Sequence, residues 1–164
     1  MSGPLRPLGG GISPNTSLER EDMILVDRLT PEARSAQMRR IRKRDTGPEV
    51  RVRRAAHALG YRFRLHRRDL PGTPDIVFPA SRKVILVHGC FWHQHCGCRL
   101  ARLPKSRPDY WLPKLKRNQE RDASAVEALR ALGWAVLVVW ECEVVTDSAA
   151  ANVIAPFLRR RVAG

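Results

Sequence analysis

The chain has 164 residues, 43% of them hydrophobic, which is enough for one domain with a substantial core. It carries 30 Lys and Arg against 16 Asp and Glu, and this net charge of +14 favours a nucleic-acid partner over a merely soluble basic protein. Because no membrane-length apolar run or apolar signal core is present, we expect no membrane association, a cytoplasmic location, and Cys residues that are thiols or metal ligands.

Residues 1–27 are rich in Gly, Pro, Ser and Asn, which predicts a disordered leader before a single domain over residues 28–164. Thr30 is a good N-cap and Pro31 suits the first helical position, so a first helix is predicted from there to about residue 44. Its basic side chains are expected to contact DNA phosphates, the alternative being a solvated basic helix end. These side chains are Arg39, Arg40, Arg42, Lys43 and Arg44.

A second helix is predicted to begin at Thr46, because Thr46 and Glu49 have the spacing of a capping box. It should run to about Leu59 and end at Gly60. Apolar and polar residues then alternate over residues 61–66, which is the period of a strand with one buried face.

The next predicted elements form a mixed sheet. A short strand over residues 75–78 turns back into a buried, β-branched strand over residues 83–88, so these two are expected to be antiparallel. A long helix over residues 109–132 leads to a second buried strand over residues 135–140, expected to lie parallel to its neighbour.

A final helix is predicted from a cap at Asp147 or Ser148 to about Arg161. The order of elements predicts an α/β fold with helices on both sides of a mixed central sheet.

The chemistry is concentrated after the strand over residues 83–88. Gly89 ends that strand, and the next nine residues contain two aromatic residues, two His and three Cys. In α/β folds, sites form at the carboxyl ends of strands, so the predicted strand ends are expected to converge. A metal-dependent phosphodiesterase needs carboxylates, an acid or base and basic groups. The candidate acids and bases are Glu49, Asp75, His88, His93 and Asp122.

The pair Pro74-Asp75, followed by a buried strand, resembles the core of restriction endonucleases. The E-x-K expected on that second strand is absent, and Leu86-Val87-His88 stands in its place. Without that Lys, a His would have to be the base.

Residues 87–93, Val-His-Gly-Cys-Phe-Trp-His, resemble the signature of the very short patch repair endonucleases, which nick DNA at T·G mispairs. Similar segments occur in the same order from about Thr30 to Cys142. The resemblance implies a restriction-endonuclease-like, three-layer α/β/α fold with a structural zinc. It also implies a monomeric enzyme that hydrolyses one strand of double-stranded DNA beside a T·G mismatch in a Mg²⁺-dependent reaction, acting on the nucleoid.

The resemblance also assigns the metal ligands and the acid–base groups. Asp75 would be the principal Mg²⁺ ligand, and the family's second oxygen, often from Thr, could come here only from the backbone carbonyl of Val87. His93 would be the general base, and His88 would contact the scissile phosphate or assist proton transfer. Asp122 would orient a His or a water molecule at the metal.

Two further polar residues have weaker assignments. Asn118 would position the backbone. Glu49 lies where the family has an acidic residue near the metals, and its alternative role is the helix cap alone.

Four residues of the zinc-ligand types fit the structural zinc that the resemblance implies. They are Cys90, His95, Cys98 and Cys142. Cys96 competes with Cys98, and we favour Cys98 because Cys96 directly follows His95, which hinders joint chelation. The alternative is a set of unrelated reduced cysteines.

Phe91, Trp92 and Trp111 resemble the family's aromatic wedge, which enters the duplex beside the mispair. The alternative is that they are ordinary core aromatics.

Two rival functions remain at this stage. One is a zinc-stabilised DNA-binding module without catalysis, and the other is a generic restriction-type nuclease that cuts paired duplex.

Overall fold

The computed structural model describes Thr30, Ala33, residues 44–105 and residues 107–160. The predicted leader and most of the predicted basic helix, including Arg39, Arg40, Arg42 and Lys43, lie outside the described residues. The Ala33 amide donates to Thr30 Oγ1 at 3.2 Å, as the predicted N-cap requires.

Residues 44–105 and 107–160 form four α-helices and four strands, with three short 3-10 helices in the connections. The helices are α1 (Gly47–Ala58), α2 (Cys90–His93), α3 (Pro108–Ala131) and α4 (Asp147–Arg159). The strands are β1 (Arg64–Leu65), β2 (Ile76–Phe78), β3 (Lys83–His88) and β4 (Ala135–Trp140). Among these described residues, no helix is both long and apolar enough to cross a bilayer.

The strands form one mixed sheet in the order β1-β2-β3-β4. β1 and β2 are antiparallel, β2 and β3 are antiparallel, and β3 and β4 are parallel, as predicted for the last two pairs. The parallel register pairs His88 with Trp140, so β3 and β4 end at the same level and deliver the following residues to one edge.

Helices cover both faces of this sheet, which confirms the predicted layers. On one face, α1 and α4 bury Val52 and Ile154 against Ile85 and Val139. On the other face, Leu129 of α3 packs with Val84 and other buried residues. Side chains of successive strand residues point to opposite faces, so each central strand contributes to both clusters.

The loop before β2 packs closely against α3. Gly72 has a φ of +70°, and a Cβ at this position would lie 2.6 Å from the Cβ of Ala125. Only glycine combines this conformation with such a close approach. The contact holds the loop that carries Asp75 at a fixed distance from the helix that carries Asp122.

The predicted strand over residues 61–66 is wrong in length. Only Arg64 and Leu65 pair with β2, and Leu65 is 41% exposed rather than buried. The Tyr61 and Phe63 rings do contact Phe78 edge-on, at centroid distances of 6.1 and 5.9 Å. The alternation of apolar residues therefore reflects side-chain packing on Phe78 and not strand pairing. β1 ends because His66 has a φ of +47°, outside the extended region.

Smaller differences concern the ends of elements. β2 begins at Ile76, one residue after the predicted start. The N-cap of α4 is Thr146, whose hydroxyl accepts from the Ala149 amide at 3.1 Å, rather than Asp147 or Ser148.

Candidate active site and metal centre

Asp75 lies immediately before β2, beside the carboxyl end of β3. The ladder between the two strands stops at the pair Ile76 and Ile85, and beyond it the Val87 amide donates to Asp75 Oδ2 at 2.8 Å. Burial raises the pKa of Asp75 to about 6; the Val87 hydrogen bond opposes this shift and the Glu49 charge adds to it. Such a carboxyl group favours a compensating cation nearby.

Glu49 lies on the same side of the sheet as Asp75, separated from it by the His66 ring, and is only 3% exposed. Its Oε1 accepts from the Thr46 hydroxyl at 2.9 Å, and its Oε2 accepts from the Asp45 amide at 3.0 Å. The predicted capping box is therefore present with one difference: the Glu49 carboxylate accepts from the amide of Asp45 rather than from that of the cap residue Thr46. Arg53 Nη2 also donates to Oε2, at 2.8 Å, so the buried Glu49 charge is compensated.

His66 was missed as a site residue, because the sequence placed it on the polar face of a strand. Its Nδ1 lies 3.9 Å from Asp75 Oδ1, and its Nε2 lies 3.0 Å from Arg53 Nη2. Burial, with help from the charges of Arg53 and Arg44 and against that of Glu49, lowers the pKa of His66. Only the register of Leu65 with Ile76, which places His66 opposite Asp75, could have identified it.

His93 and Asp122 form a close pair between α2 and α3. His93 Nδ1 lies 2.5 Å from Asp122 Oδ2. Asn118, one turn earlier on α3, donates to the Trp92 carbonyl at 3.0 Å and so ties α2 to the same helix. The predicted line of polar residues along α3 therefore faces the segment after β3.

His88 stacks on His93, with ring centroids 4.0 Å apart and planes inclined by 10°. Burial, followed by the proximity of His93, lowers the pKa of His88 to about 4, although the Asp122 charge opposes this. His88 is therefore a neutral imidazole near pH 7.

Four candidate zinc ligands meet beside this site. One ligand atom from each lies within 4.8 Å of the others, and the residues are Cys90, His95, Cys98 and Cys142. His95 Nδ1 is 3.7 Å from Cys90 Sγ and 3.3 Å from Cys142 Sγ. Cys96 is exposed and is not part of this group.

The three-Cys, one-His set fits a tetrahedral zinc site, which commonly has this donor composition. Burial raises the pKa of the Cys90 thiol to about 12. A coordinated metal is the usual means by which such a buried thiol is deprotonated. The backbone amide of Leu100 lowers the pKa of Cys98, which stabilises the thiolate form that a metal ion binds.

Trp140 joins the cysteine cluster to the active site. Its ring stacks on His95 with centroids 4.2 Å apart, and its edge meets His88 at 5.4 Å. Glu141, the next residue, accepts a hydrogen bond from the Cys90 amide at 3.2 Å. Neither Trp140 nor Glu141 was predicted as a site residue, because their roles depend on the pairing of β3 with β4.

The predicted wedge residues form one aromatic cluster. Phe91 contacts Trp92 and Trp111 at centroid distances of 5.0 and 5.3 Å. Phe91 and Trp92 are half-buried, whereas Trp111 is only 4% exposed. Trp111 therefore packs on the buried side of the other two rings and contacts both of them. Lys114 Nζ lies 5.5 Å from the Trp92 ring centre and adds a positive charge beside the exposed aromatic surface.

The described residues contain a third group of metal-ligand types, Asp45, Glu49 and His66. The guanidinium group of Arg53 contacts all three of them. A side-chain cation thus already compensates this group, and it does not fit a further metal ion. Arg44 is exposed in the bend just before it, where the first predicted helix should end.

The chain is similar in sequence to a family of DNA endonucleases. A family model described as DNA mismatch endonuclease Vsr matches residues 26–99. The chain is 59% identical over 119 residues to the type II nicking enzyme V.XorIIP of Xanthomonas oryzae pv. oryzae, a match that covers 73% of this chain and 87% of the relative.

Two further relatives extend the likeness beyond the short signature. The DNA mismatch endonuclease Vsr of Escherichia coli is 45% identical over 121 residues, covering 71% of this chain and 77% of the relative. The type II nicking enzyme V.NmeAIP of Neisseria meningitidis is 40% identical over 119 residues, covering 73% of this chain and 84% of the relative.

Proposed function

The chain belongs to the family of the DNA mismatch endonuclease Vsr, and from this premise we propose that it nicks one strand of duplex DNA beside a T·G mispair by Mg²⁺-dependent hydrolysis. Membership confirms the resemblance predicted from residues 87–93, and it confirms that the protein is an endonuclease that acts on DNA. The mispair, the metal requirement and a role in starting very short patch repair are the proposed part.

One observation carries the proposal. A half-buried carboxylate, Asp75, and a carboxylate-oriented imidazole, His93 with Asp122, lie at the same edge of the sheet. A binding module without catalysis would have no use for this arrangement. The net charge of +14 supplies the attraction to the DNA backbone.

Asp75 fits a Mg²⁺ site by its donor chemistry. One carboxylate oxygen accepts from the Val87 amide, so the other is available to a cation. In a strand, the N–H and C=O of one residue point to the same side, so the Val87 carbonyl faces the Asp75 side too. Oxygen ligands of this kind suit Mg²⁺, which would polarise the phosphate and neutralise its developing charge.

His93 is the proposed general base. Its Nδ1 carries the hydrogen that binds Asp122, because a carboxylate can only accept, so Nε2 presents a lone pair. Nε2 takes the proton of the attacking water as its oxygen bonds to phosphorus. The bond from phosphorus to the leaving sugar oxygen then breaks, and a solvent water molecule protonates that oxygen. Asp122 stabilises the resulting imidazolium ion.

His88 is proposed to hold the phosphate as a neutral hydrogen-bond donor. Burial lowers the pKa of His88 to about 4, so it carries no charge that would compete with protonation of the stacked His93. Trp140 fixes the His88 ring from its edge. Because Trp140 also stacks on His95, the proposed structural zinc would keep both the fold and the active-site histidines in place.

Phe91 and Trp92 are proposed to recognise the mispair. Their half-buried rings project beside Lys114, from the segment that also carries His93. An aromatic wedge partly unstacks a base step, and a weakly stacked mispair costs less to open than a matched pair. This difference supports discrimination between T·G and paired duplex.

The test is strand-resolved nicking of two duplexes that differ only in one T·G or T·A pair. We expect a nick in one strand of the T·G duplex when Mg²⁺ is present, and neither cutting of the T·A duplex nor cutting in Mg²⁺-free buffer. The Asp75→Asn variant is the control for contaminating nuclease. Equal cutting of both duplexes would favour the generic restriction-type nuclease.

A further inference from the structure

His66 belongs to neither the predicted nor the proposed site, yet its ring lies between the buried carboxylate of Glu49 and the half-buried carboxylate of Asp75. Its Nδ1 faces Asp75 Oδ1 at 3.9 Å, and its Nε2 faces Glu49 Oε2, also at 3.9 Å. The side chain is 15% exposed. A polar ring enclosed this far needs hydrogen-bond partners for both nitrogens.

The neighbour at Nε2 determines the tautomer of His66. Arg53 Nη2 lies 3.0 Å from Nε2, and a guanidinium group can only donate. Nε2 must therefore accept, and the hydrogen of the neutral ring resides on Nδ1. That hydrogen points to the side of Asp75.

The backbone at His66 is consistent with a functional constraint. Its φ of +47° is uncommon for a residue with a side chain, and such conformations persist where the surrounding structure requires them. The His66 amide also donates to the Asp75 carbonyl at 3.4 Å, so the backbone and the ring of His66 both face Asp75.

We propose that His66 is a positioning residue for Asp75, whose carboxylate it orients through the Nδ1–H dipole on the side of Oδ1. The separation of 3.9 Å is longer than a direct hydrogen bond, so the interaction is between the N–H dipole and the carboxylate charge, and Oδ1 keeps room for a cation. The chain of contacts then runs from the cap of α1 through Glu49, Arg53 and His66 to Asp75. This inference rests on the proposed role of Asp75 as a Mg²⁺ ligand.

The first test is the tautomer itself, read from long-range ¹H–¹⁵N correlations of the imidazole rings in the zinc-loaded protein without DNA. We expect the Nδ1–H form of a neutral ring at His66. An Nε2–H form or an imidazolium ion near pH 7 would overturn the proposal.

The second test compares two variants that tolerate the left-handed backbone. His66→Asn keeps an N–H donor at the δ position, whereas His66→Gly relaxes the backbone but has no side-chain donor. Mg²⁺ is titrated into the DNA-free protein, and binding is followed through the amide resonance of Val87, which is bonded to Asp75. Thermal unfolding of each variant checks its folding separately.

For His66→Gly, we expect the Mg²⁺ dissociation constant, and the Mg²⁺ concentration that half-activates nicking, to rise by about tenfold, the usual cost of losing an orienting partner. His66→Asn should recover most of this loss, and the nicking rate at saturating Mg²⁺ should change little in either variant. The matched control is His57→Asn, since His57 also contacts an arginine, Arg62, but is exposed and lies at the opposite end of α1 from Glu49.

Two results would overturn the inference while leaving the proposed function intact. One is an unchanged Mg²⁺ affinity in His66→Gly, and the other is a His66→Asn variant as weak as His66→Gly. Two other results would instead overturn the proposed metal site: nicking by the wild-type protein without Mg²⁺, or a Val87 amide chemical shift that does not change when Mg²⁺ is added.

Discussion

His93 donates its Nδ1 hydrogen to Asp122 Oδ2 across 2.5 Å, and this contact joins the short segment after β3 to the long helix α3. The carboxylate fixes the ring tautomer and leaves Nε2 free to accept a proton. The two residues lie 29 positions apart in sequence, so the crossover from β3 to β4 is what brings the base to its orienting group.

Asp75→Asn should abolish nicking and yet stabilise the protein. Burial raises the pKa of Asp75 from 3.8 to about 6, so ionising this carboxyl group in the folded state opposes folding. The amide side chain avoids that cost and still accepts from the Val87 amide. In Mg²⁺-free buffer near pH 8 we expect a gain of up to about 3 kcal/mol, from the size of the pKa shift.

The sign of this effect is tested by its pH dependence. The folded state binds the Asp75 proton more tightly than the unfolded state, so wild-type stability falls as pH rises from about 4 through about 6. The advantage of Asp75→Asn should therefore be largest above pH 6 and shrink towards pH 4 in urea unfolding. The exposed Asp147→Asn serves as control, and an advantage that grows in acid would contradict the account.

Cys142→Ser should release zinc and lower the melting temperature, because Cys142 closes the cluster from the end of β4. Cys98→Ser should do the same, whereas the exposed Cys96→Ser should retain one zinc per chain. Mass spectrometry of each variant measures the bound zinc, and thermal unfolding measures the melting temperature. If Cys96→Ser lost zinc and Cys98→Ser kept it, the third local ligand would be Cys96.

Trp92→Ala should reduce discrimination more than total DNA binding. Stacking of an aromatic ring on a base is worth about 1–3 kcal/mol, which should be lost on a T·G duplex but largely not on a matched one. Affinities for both duplexes are measured at one salt concentration, because phosphate contacts depend steeply on salt.

The control for this measurement is Trp134→Phe, since Trp134 packs between Arg82 and Arg67, among the residues buried against α3. It should leave the ratio of the two affinities unchanged. Equal losses on both duplexes in Trp92→Ala would identify Trp92 as a residue of folding or general affinity.

Local signals predicted most of the fold. The capping residue Thr46, the apolar run of β3 and the crossover through α3 each act over a few residues or follow a general rule of chain connection. The length of β1 was not predictable in this way, because it depends on the left-handed backbone at His66. Helix caps were ambiguous where neighbouring residues, such as Thr146 and Asp147, suit the same position.

The site was predictable only in part, for a related reason. Asp75, His88 and His93 stand out by residue type at strand ends, whereas the sequence resemblance was needed to add Cys142 to the cysteine cluster. Arg53 and His66 carry no such signal, since an arginine on a helix and a histidine after a strand are ordinary surface residues. Their roles arise from strand register, which one sequence does not reveal.

The most direct test of the central claim is the single-turnover nicking rate of His93→Ala, Asp122→Asn and the double variant on a T·G duplex at saturating Mg²⁺. A general base contributes about 10²- to 10⁴-fold. If His93 and Asp122 act as one unit, the double variant should be no slower than His93→Ala alone, because the effects of such groups are not additive. A His93→Ala rate within about tenfold of wild type, or fully multiplicative losses, would contradict the account.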